Sequence, residues 1–329
     1  MRVLLIYRHP DMGVSIGKMF RSIEQEMRRY AQVDAVYMPA FGYGPRALVC
    51  NIRAARAAVK AQHYDIVHIT GTEHYLLPFL SRQRTVVTVH DLGHLAALHG
   101  LRRFVYKCVW VYPLRWADRV CCISEFTKKE VLDAVRIPQK QLSVIRDCVG
   151  SDFIYTKKPF HVERPVVLHV GTRPHKNLDR TIEALAGMDI ELRIIGRIEA
   201  STQALLDEKG MRYVVRHDLS DAELLVEYQH ADIINFPSLH EGFGMPVLEG
   251  QATGRVVVTS NREPMLSVAG GAAALCDPLD VGSIRGAYER VIGDADYRNE
   301  LIVKGLQNAA LYSVSTITTR YFNTYQSIR

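Results

Sequence analysis

Short apolar runs alternate with amphipathic stretches along the whole chain, and the runs fall into two series of six. The first series comprises residues 2–7, 33–38, 65–70, 85–90, 119–124 and 142–145. The second comprises residues 166–170, 192–196, 212–215, 232–236, 255–259 and 272–276. Runs that are apolar at nearly every position are typical of parallel strands that helices cover on both faces. The pattern therefore predicts an α/β protein with two Rossmann-like domains, whose parallel sheets face each other across a cleft.

The stretches between the runs predict helices, and in the first half these lie near 15–30, 46–62, 100–117 and 125–135. Residues 150–165 have no clear periodicity and contain two prolines, so they form the candidate linker. In an open parallel sheet, ligands bind at the carboxyl ends of the strands. Ligand-binding and catalytic residues are therefore expected in the loops that follow strands.

Composition favours a globular cytoplasmic protein. The 329 residues are 48% hydrophobic and 23% charged, with no run of about 18 apolar residues that would predict a transmembrane helix. The six cysteines lack Cys-x-x-Cys spacing, which is typical of reduced, core-filling thiols. Residues 1–150 carry 22 Lys+Arg against 12 Asp+Glu, although the whole chain has a net charge of only +6. A basic first half favours an anionic acceptor or membrane surface. No nucleic-acid module is recognisable, so no nucleic-acid partner is expected.

The most informative segment is HEGFG at 240–244, which follows a strand and leads into a helix near Met245. Its glycines allow a sharp turn close to a ligand, and the free N–H groups of a helix start favour an anion such as a diphosphate. Glu241 in the loop and Glu249 in the helix could accept hydrogen bonds from two sets of sugar hydroxyls. The alternative is a loop acid and a first-turn glutamate that stabilise the helix dipole.

A second segment follows the strand at 166–170. Gly171 leads into a cationic loop that contains Arg173, His175 and Lys176, and an amphipathic helix comes next. Fixed positive charge at a strand's carboxyl end suits a diphosphate leaving group, since negative charge grows on it as the glycosidic bond breaks. A solvated basic turn is the alternative.

Together these segments, VGTRPHKN at 170–177 and PSLHEGFGMPVLEG at 237–250, resemble the retaining GT-B glycosyltransferases of glycosyltransferase family 4, also called glycosyl transferases group 1. Weaker matches lie at 89–92, 123–127 and 312–328. The resemblance implies an acceptor-binding domain at 1–155 and a nucleotide-sugar-binding domain at 156–312. It also implies a C-terminal helix at 313–329 that packs back toward the first domain.

The resemblance also implies roles for individual residues. Near the reaction it places Glu241, Lys176, Arg173 and His90. Around the donor it places Glu249 on the ribose, and also Gly242, Phe243, Gly244, Gly171, Gly196, Arg197 and Gly13. The family often has Arg directly before the Lys, where this chain has His175, and its first loop usually has a Gly-Gly pair, where this chain has only Gly13 and Gly17.

The implied reaction transfers a hexose-type sugar from a UDP- or GDP-linked donor to a saccharide or polyprenyl-linked acceptor, with retention of configuration and with no metal or other cofactor. The implied setting is bacterial surface polysaccharide assembly, such as lipopolysaccharide O-antigen. Asp294-Ala295-Asp296 matches a metal-binding D-x-D, but its place before a helix favours capping. A nicotinamide enzyme is disfavoured because the 8–17 loop lacks G-x-G-x-x-G. A silent nucleotide-sugar-binding protein and a sugar-nucleotide epimerase on the same scaffold remain alternatives.

Basic and aromatic residues are interleaved at 101–116. Arg102, Arg103, Lys107 and Trp110 are the candidates for the acceptor or membrane side. Such a segment can seat a protein on the anionic inner face of the cytoplasmic membrane as a peripheral protein. A buried helix whose cations reach the surface is the alternative.

Overall fold

The computed structural model of this chain describes residues 1–12, 14–80, 82–92, 95 and 98–328, apart from the side chains of residues 14 and 15. It divides into two compact units. The first consists of Met1–Cys148 with Val314–Arg329, and the second is Val149–Ser313. The described residues of each unit form a six-stranded parallel sheet, which confirms the two Rossmann-like domains. No helix in the described part of the chain combines the length and the apolar character that crossing a bilayer requires.

The sheet of the first unit has the strand order β2-β1-β3-β4-β5-β6. Its strands are β1 Arg2–Tyr7, β2 Gln32–Tyr37, β3 Ile66–Ile69, β4 Thr85–Val89, β5 Arg119–Cys122 and β6 Leu142–Val144. The helices between them are α1 Val14–Met27, α2 Pro45–Ala61, α3 Gly100–Tyr106 and α4 Glu125–Ala134. Ser124 caps α4 by accepting a 3.0 Å hydrogen bond from the backbone N–H of Thr127.

The helix predicted over 100–117 is only partly correct. After α3 the chain widens into a π-helical turn at Lys107–Val111 and then tightens into a 3-10 turn at Tyr112–Trp116. Pro113 lies in this last turn. Proline has no N–H to donate to an α-helical hydrogen bond, so a regular helix cannot continue through it.

The sheet of the second unit has the strand order β12-β11-β10-β7-β8-β9. Its strands are β7 Val166–Val170, β8 Glu191–Ile195, β9 Tyr213–Arg216, β10 Ile233–Phe236, β11 Val256–Ser260 and β12 Ala274–Cys276. Its helices are α5 Leu178–Leu185, α6 Ala200–Glu208, α7 Asp221–His230, α8 Met245–Ala252, α9 Met265–Ala269, α10 Val281–Gly293 and α11 Ala295–Ala310. Asp294 caps α11 by accepting a hydrogen bond from Tyr297 N–H at 2.9 Å, so the first carboxylate of the D-x-D acts as a cap.

The last helix, α12 Val314–Ile328, belongs to the first unit, where Ile317, Tyr321 and Tyr325 are buried in the core. His68 in β3 lies within 2.6 Å of the Tyr325 hydroxyl through Nδ1, and within 2.9 Å of Thr88 Oγ1 through Nε2. The contact with Tyr325 fixes the helix against the sheet.

All six cysteines are free thiols. Cys121, Cys122, Cys148 and Cys276 are buried, as core-filling residues should be. The prediction was wrong for Cys50 and Cys108, which are exposed because the helical segments that carry them have one side in solvent.

Strand order determines where each sheet can bind a ligand. In the second unit, the chain moves from β7 to β8 and β9 on one side and then returns to β10 on the other. In the first unit, β1 lies between β2 and β3 in the same way. Loops that leave such a switch point in opposite directions open a crevice at the carboxyl ends of the strands. The two crevices therefore lie after β7 and β10, and after β1 and β3.

Candidate functional site

The loop after β7 depends on a glycine. Gly171 has φ +92°, a conformation that L side chains rarely adopt. A Cβ atom at this position would lie 3.1 Å from Cε and 3.2 Å from Cγ of Lys176. The glycine therefore allows the aliphatic stem of Lys176 to cross directly over the backbone at the end of the strand.

The loops after β7 and β10 are hydrogen-bonded to each other. Leu239 N–H donates to the carbonyl of His175 at 2.8 Å. Asn177, which is buried with φ +66°, donates through its side-chain amide to the carbonyls of Pro237 at 3.1 Å and Pro278 at 2.7 Å. The two loops therefore form one rigid assembly at the switch point of the second sheet.

This assembly brings Lys176 and Glu241 together. Lys176 Nζ lies 2.7 Å from Glu241 Oε1, and the two side chains are only 18% and 13% exposed. The ammonium group also lies 4.4 Å from the centroid of the Phe236 ring, close enough for a cation–π attraction. His175 Nε2 is farther from the same carboxylate oxygen, at 3.9 Å. Burial lowers the pKa of His175, assisted by the cations of Lys176 and Arg173 and opposed by Glu241, so Lys176 supplies the positive charge beside Glu241.

Arg173 lies at the start of the short turn Pro174–Lys176, and its side chain is exposed. It is therefore on the same loop as Lys176 but is not held by the Lys176–Glu241 pair. An exposed arginine beside a fixed lysine is suited to bind an anion when one arrives.

The loop after β10 ends at the start of α8. Gly244 is the N-cap of this helix, with φ +112°. Phe243 is buried and packs against the Tyr312 ring, with centroids 6.0 Å apart. Gly242 separates this anchor from Glu241. The first backbone N–H groups of a helix have no intrahelical partner, so this loop presents both a carboxylate and amide donors at the switch point.

Glu249 lies in α8 and is oriented by a residue that the sequence analysis did not identify. The hydroxyl of Tyr228, in α7, donates to Glu249 Oε2 at 2.5 Å. Burial and the nearby Glu249 charge raise the pKa of Tyr228 well above its ordinary value, so the phenol stays protonated and keeps donating. Tyr228 is part of a helical apolar pattern, which gave no signal of this role.

The loop after β8 is joined to the same edge. Gly196 has φ +135°, and a Cβ atom there would lie 2.8 Å from Thr172 Cγ2. Thr172 Oγ1 in turn donates to the carbonyl of Arg197 at 2.7 Å. Gly171, Lys176, Gly196 and Arg197 therefore lie in two loops that contact each other.

In the first unit, His90 follows β4 and is buried. Its Nε2 lies 3.0 Å from the carbonyl of Thr70, so this nitrogen carries the proton, and its Nδ1 lies 3.7 Å from Asp147 Oδ1. Burial lowers the pKa of His90, but the Asp147 carboxylate and the Thr70 carbonyl together raise this pKa above its ordinary value. Asp147 was not identified from the sequence, because it lies just past β6 without a motif.

Glu73 is a second residue that sequence reasoning missed. It lies just past β3 at the switch point of the first sheet and is only 2% exposed. Burial raises the pKa of Glu73 to about 7, against the opposing attraction of Arg8. A Cβ atom at Gly71 would lie 2.8 Å from Glu73 Oε2, so this glycine provides the space that the carboxyl occupies. The pattern Gly71-Thr72-Glu73 after a strand was the only signal available.

The basic and aromatic segment is divided between core and surface. Arg102 is exposed, Arg103 donates to the carbonyl of Leu95, and Lys107 is half-buried. Trp110 is partly buried, because it stacks on Tyr106 with centroids 5.2 Å apart and packs against the core. Large exposed apolar side chains at Leu101, which is 77% exposed, and Phe104 lie beside Arg102 instead. Gly13 lies outside the described residues.

Two parallel-sheet units, with a lysine-bearing loop and a glycine-rich helix start at the switch point of the second, define a GT-B glycosyltransferase. A sequence profile described as Glycosyltransferase Family 4 matches residues 13–152, and one described as Glycosyl transferases group 1 matches residues 151–307. The chain belongs to glycosyltransferase family 4.

Two curated relatives and one solved structure are similar to this chain. It is 26% identical over 268 residues to O-antigen chain mannosyltransferase B of Escherichia coli, covering 74% of this chain and 70% of that protein. It is 27% identical over 223 residues to serotype-specific mannosyltransferase WbdA of Escherichia coli, covering 60% of this chain but only 27% of that longer protein. Anabaena Alr3699/HepE, solved with UDP and glucose, superposes with a TM-score of 0.78 at 16% identity, covering 99% of this chain and 100% of that chain.

Proposed function

We propose that this protein transfers a hexose, with mannose as the first candidate, from a nucleoside diphosphate donor to a saccharide or lipid-linked acceptor. The donor is UDP- or GDP-linked, and the pathway is bacterial surface polysaccharide assembly. The observation that carries the proposal is the Lys176–Glu241 pair at the switch point of the second sheet. The names of the O-antigen and serotype-specific mannosyltransferase relatives support the choice of sugar and pathway.

The donor roles follow from the chemistry of each group. Lys176 and the exposed Arg173 bind the diphosphate, since both are basic side chains on one loop. Glu241 accepts hydrogen bonds from sugar hydroxyls, and the backbone from Gly242 to Gly244 lines the same position. Glu249, held by Tyr228, accepts hydrogen bonds from the ribose hydroxyls. His90 serves the sugar or acceptor at the reaction centre.

We propose that the reaction retains the anomeric configuration by front-face transfer. In this route the bond from the anomeric carbon to the diphosphate oxygen breaks, and the acceptor oxygen bonds to the same face of the sugar. The departing phosphate takes the acceptor's proton. Positive charge at Lys176 and Arg173 stabilises the developing negative charge, which is the task a metal would otherwise perform. No metal is required in this proposal.

The first unit is proposed to bind the acceptor and to contact the anionic inner face of the cytoplasmic membrane peripherally. Exposed Leu101 and Phe104 beside Arg102 support this, because apolar and cationic side chains together favour an anionic bilayer surface. The protein is expected to cosediment with anionic liposomes at low salt, and Leu101→Ser with Phe104→Ser to weaken this. Equal sedimentation with neutral liposomes would contradict the proposal.

The function is tested by calorimetric titration of GDP, UDP, ADP and dTDP, with and without EDTA, followed by transfer assays. Saturable binding of one nucleotide that EDTA does not change, and a product of retained configuration by NMR, are expected. Glu249→Ala and Lys176→Ala should each reduce transfer more than tenfold, whereas Glu289→Ala, an exposed carboxylate of the same unit, should not. No binding of any nucleotide would refute the proposal, and binding without transfer to any acceptor would favour the silent nucleotide-sugar-binding alternative.

A further inference from the structure

The edge of the second sheet carries an ion pair just beyond the diphosphate loop. β8 and β9 are paired with Ile195 opposite Arg216, so the residues that follow them leave the sheet side by side. Arg197 follows β8 and Asp218 follows β9, and Arg197 NH2 lies 2.5 Å from Asp218 Oδ2. This pair lies at the carboxyl edge of the strands, as do Gly171 and Lys176.

The pair is joined to the diphosphate loop by a hydrogen bond. Thr172, which directly follows Gly171, donates to the backbone carbonyl of Arg197 at 2.7 Å. Adjacent strands lie about 4.8 Å apart, so the ends of β7 and β9 are separated by roughly 10 Å. A nucleoside diphosphate held at Lys176 can therefore extend its base along the edge toward Asp218.

Asp218 is oriented and keeps one acceptor oxygen available. His217 Nδ1 lies 2.9 Å from Oδ2, the same oxygen that Arg197 contacts. Among the described residues, none donates a hydrogen bond to Oδ1, and the side chain is 67% exposed. Hydrogen bonds from His217 and Arg197 lower the pKa of the Asp218 carboxyl, so it is ionised and acts only as an acceptor.

An ionised carboxylate beside a guanidinium complements one base best. Guanine presents two neighbouring donors, N1–H and N2–H₂, and an acceptor, O6, on the same edge. The available oxygen, Oδ1, has two lone pairs and can accept from both donors while the guanidinium donates to O6. Uracil offers a single N–H between two carbonyl oxygens, so one of its acceptors would face the carboxylate.

We propose that Asp218, oriented by Arg197 and His217, selects guanine over uracil in the donor nucleotide. The inference rests on the proposed function, because it requires the second unit to bind a nucleoside diphosphate sugar. Of the two donor classes in the proposed function, UDP-linked and GDP-linked, the inference specifies the GDP-linked class.

The test compares the binding of GDP, UDP and inosine diphosphate by calorimetry. Inosine diphosphate lacks only the N2 amino group, so it removes one of the two donors that face Asp218. The wild-type protein should bind GDP about tenfold more tightly than UDP or inosine diphosphate. This factor corresponds to one hydrogen bond to a charged group, reduced because Asp218 is exposed to solvent. Asp218→Asn keeps a residue that tolerates the left-handed backbone at φ +55°, and it should bind GDP and inosine diphosphate about equally.

Asp189→Asn is the matched control. Asp189 forms an exposed ion pair with Arg164 at 2.8 Å, at the amino end of β8 and therefore at the opposite edge of the same sheet. This variant should keep the wild-type preference for GDP. Equal binding of UDP and GDP by the wild type, or an unchanged GDP preference in Asp218→Asn, would overturn the inference and leave the proposed function standing. Absence of binding by all three nucleotides would overturn the proposed function and the inference with it.

Discussion

Lys176→Met removes a positive charge from the proposed diphosphate site and keeps the packing of an unbranched side chain there. Methionine keeps an unbranched stem that can cross Gly171, where a Cβ atom would lie 3.1 Å from the lysine Cε. The substitution removes the ammonium group that lies 2.7 Å from Glu241. The loop should therefore keep its shape while its net charge changes by one unit.

The expected loss is set by two opposing effects. A charge-assisted hydrogen bond contributes about 1.5–3 kcal/mol, which corresponds to roughly 10- to 150-fold in Kd. In the free protein, however, Lys176 already pairs with Glu241. A bound diphosphate replaces part of this interaction, so the net gain in binding free energy is smaller than that of a new hydrogen bond. In the variant, the half-buried Glu241 loses its cation and repels the diphosphate. We expect diphosphate binding to weaken by about tenfold to a hundredfold.

The measurement is calorimetric titration with whichever of GDP and UDP binds better, together with the corresponding nucleoside. The nucleoside has no phosphate, so its affinity should be the same in wild type and variant. Lys209→Met is the control, because Lys209 pairs with Glu208 at 2.8 Å on the exposed surface of the same unit. Its diphosphate affinity should match the wild type.

Three results would refute this reasoning. Diphosphate binding within twofold of wild type would show that Lys176 does not contact the phosphates. An equal loss for the nucleoside and the diphosphate, or a large drop in melting temperature, would show that the loop geometry had changed instead.

Two further predictions concern stability. Gly250→Ala should destabilise the second unit by about 1–3 kcal/mol, because a Cβ atom there would lie 2.7 Å from Ile234 Cγ1 in β10. Gly286→Ala, also in a helix but with nothing within 4 Å, should stabilise it by about 0.5–1 kcal/mol, and calorimetric melting that ranks both alike would contradict the packing argument. Burial lowers the pKa of His68 to about 3, so this residue is neutral when folded but protonated when unfolded below about pH 6.5. The stability that neutral His68 contributes is therefore fully present above pH 6.5 and is lost progressively as the pH falls toward 3. At pH 5 the free energy of unfolding should be lower by about 2 kcal/mol. Between pH 7.5 and 5, denaturant unfolding of His68→Gln should show a loss about 2 kcal/mol smaller than that of wild type, because the buried His74 and His169 titrate in both proteins. Equal losses in the two proteins would contradict the argument.

Much of the fold could be predicted because buried parallel strands must be apolar on both faces. Each of the twelve apolar runs became a strand, with bounds that shifted by a few residues at most. The strand order was not predictable in the same way, since the apolar runs of β7 and β10 do not record that they are neighbours. The loops after them became a common site through that pairing and through hydrogen bonds from Leu239 to His175 and from Asn177 to Pro237.

Side-chain environments were less predictable than loops. Trp110 belongs to a basic and aromatic pattern that favours a surface, yet it stacks on Tyr106 and packs against the core. The helical pattern around Pro113 predicted one continuous helix, and it did not indicate the change to π and 3-10 turns. Tyr228 orients Glu249 from a different helix, 21 residues earlier in the chain. Contacts of this kind depend on tertiary packing, which periodicity does not record.

The two switch points show that the surrounding packing determines the electrostatic environment of an acidic side chain. Glu241 and Glu73 are both glutamates in loops that follow a strand at a switch point. Glu241 has a lysine ammonium group at 2.7 Å, so its charge is compensated by a contact. Glu73 is buried so completely that its pKa rises to about 7, although Arg8 favours the charged form. At neutral pH it is therefore divided between a state that donates a hydrogen bond and a state that only accepts. The strand pattern determines where both acids lie, but only the packing around Lys176 and Gly71 gives Glu241 a cation in contact and buries Glu73 deeply enough to raise its pKa.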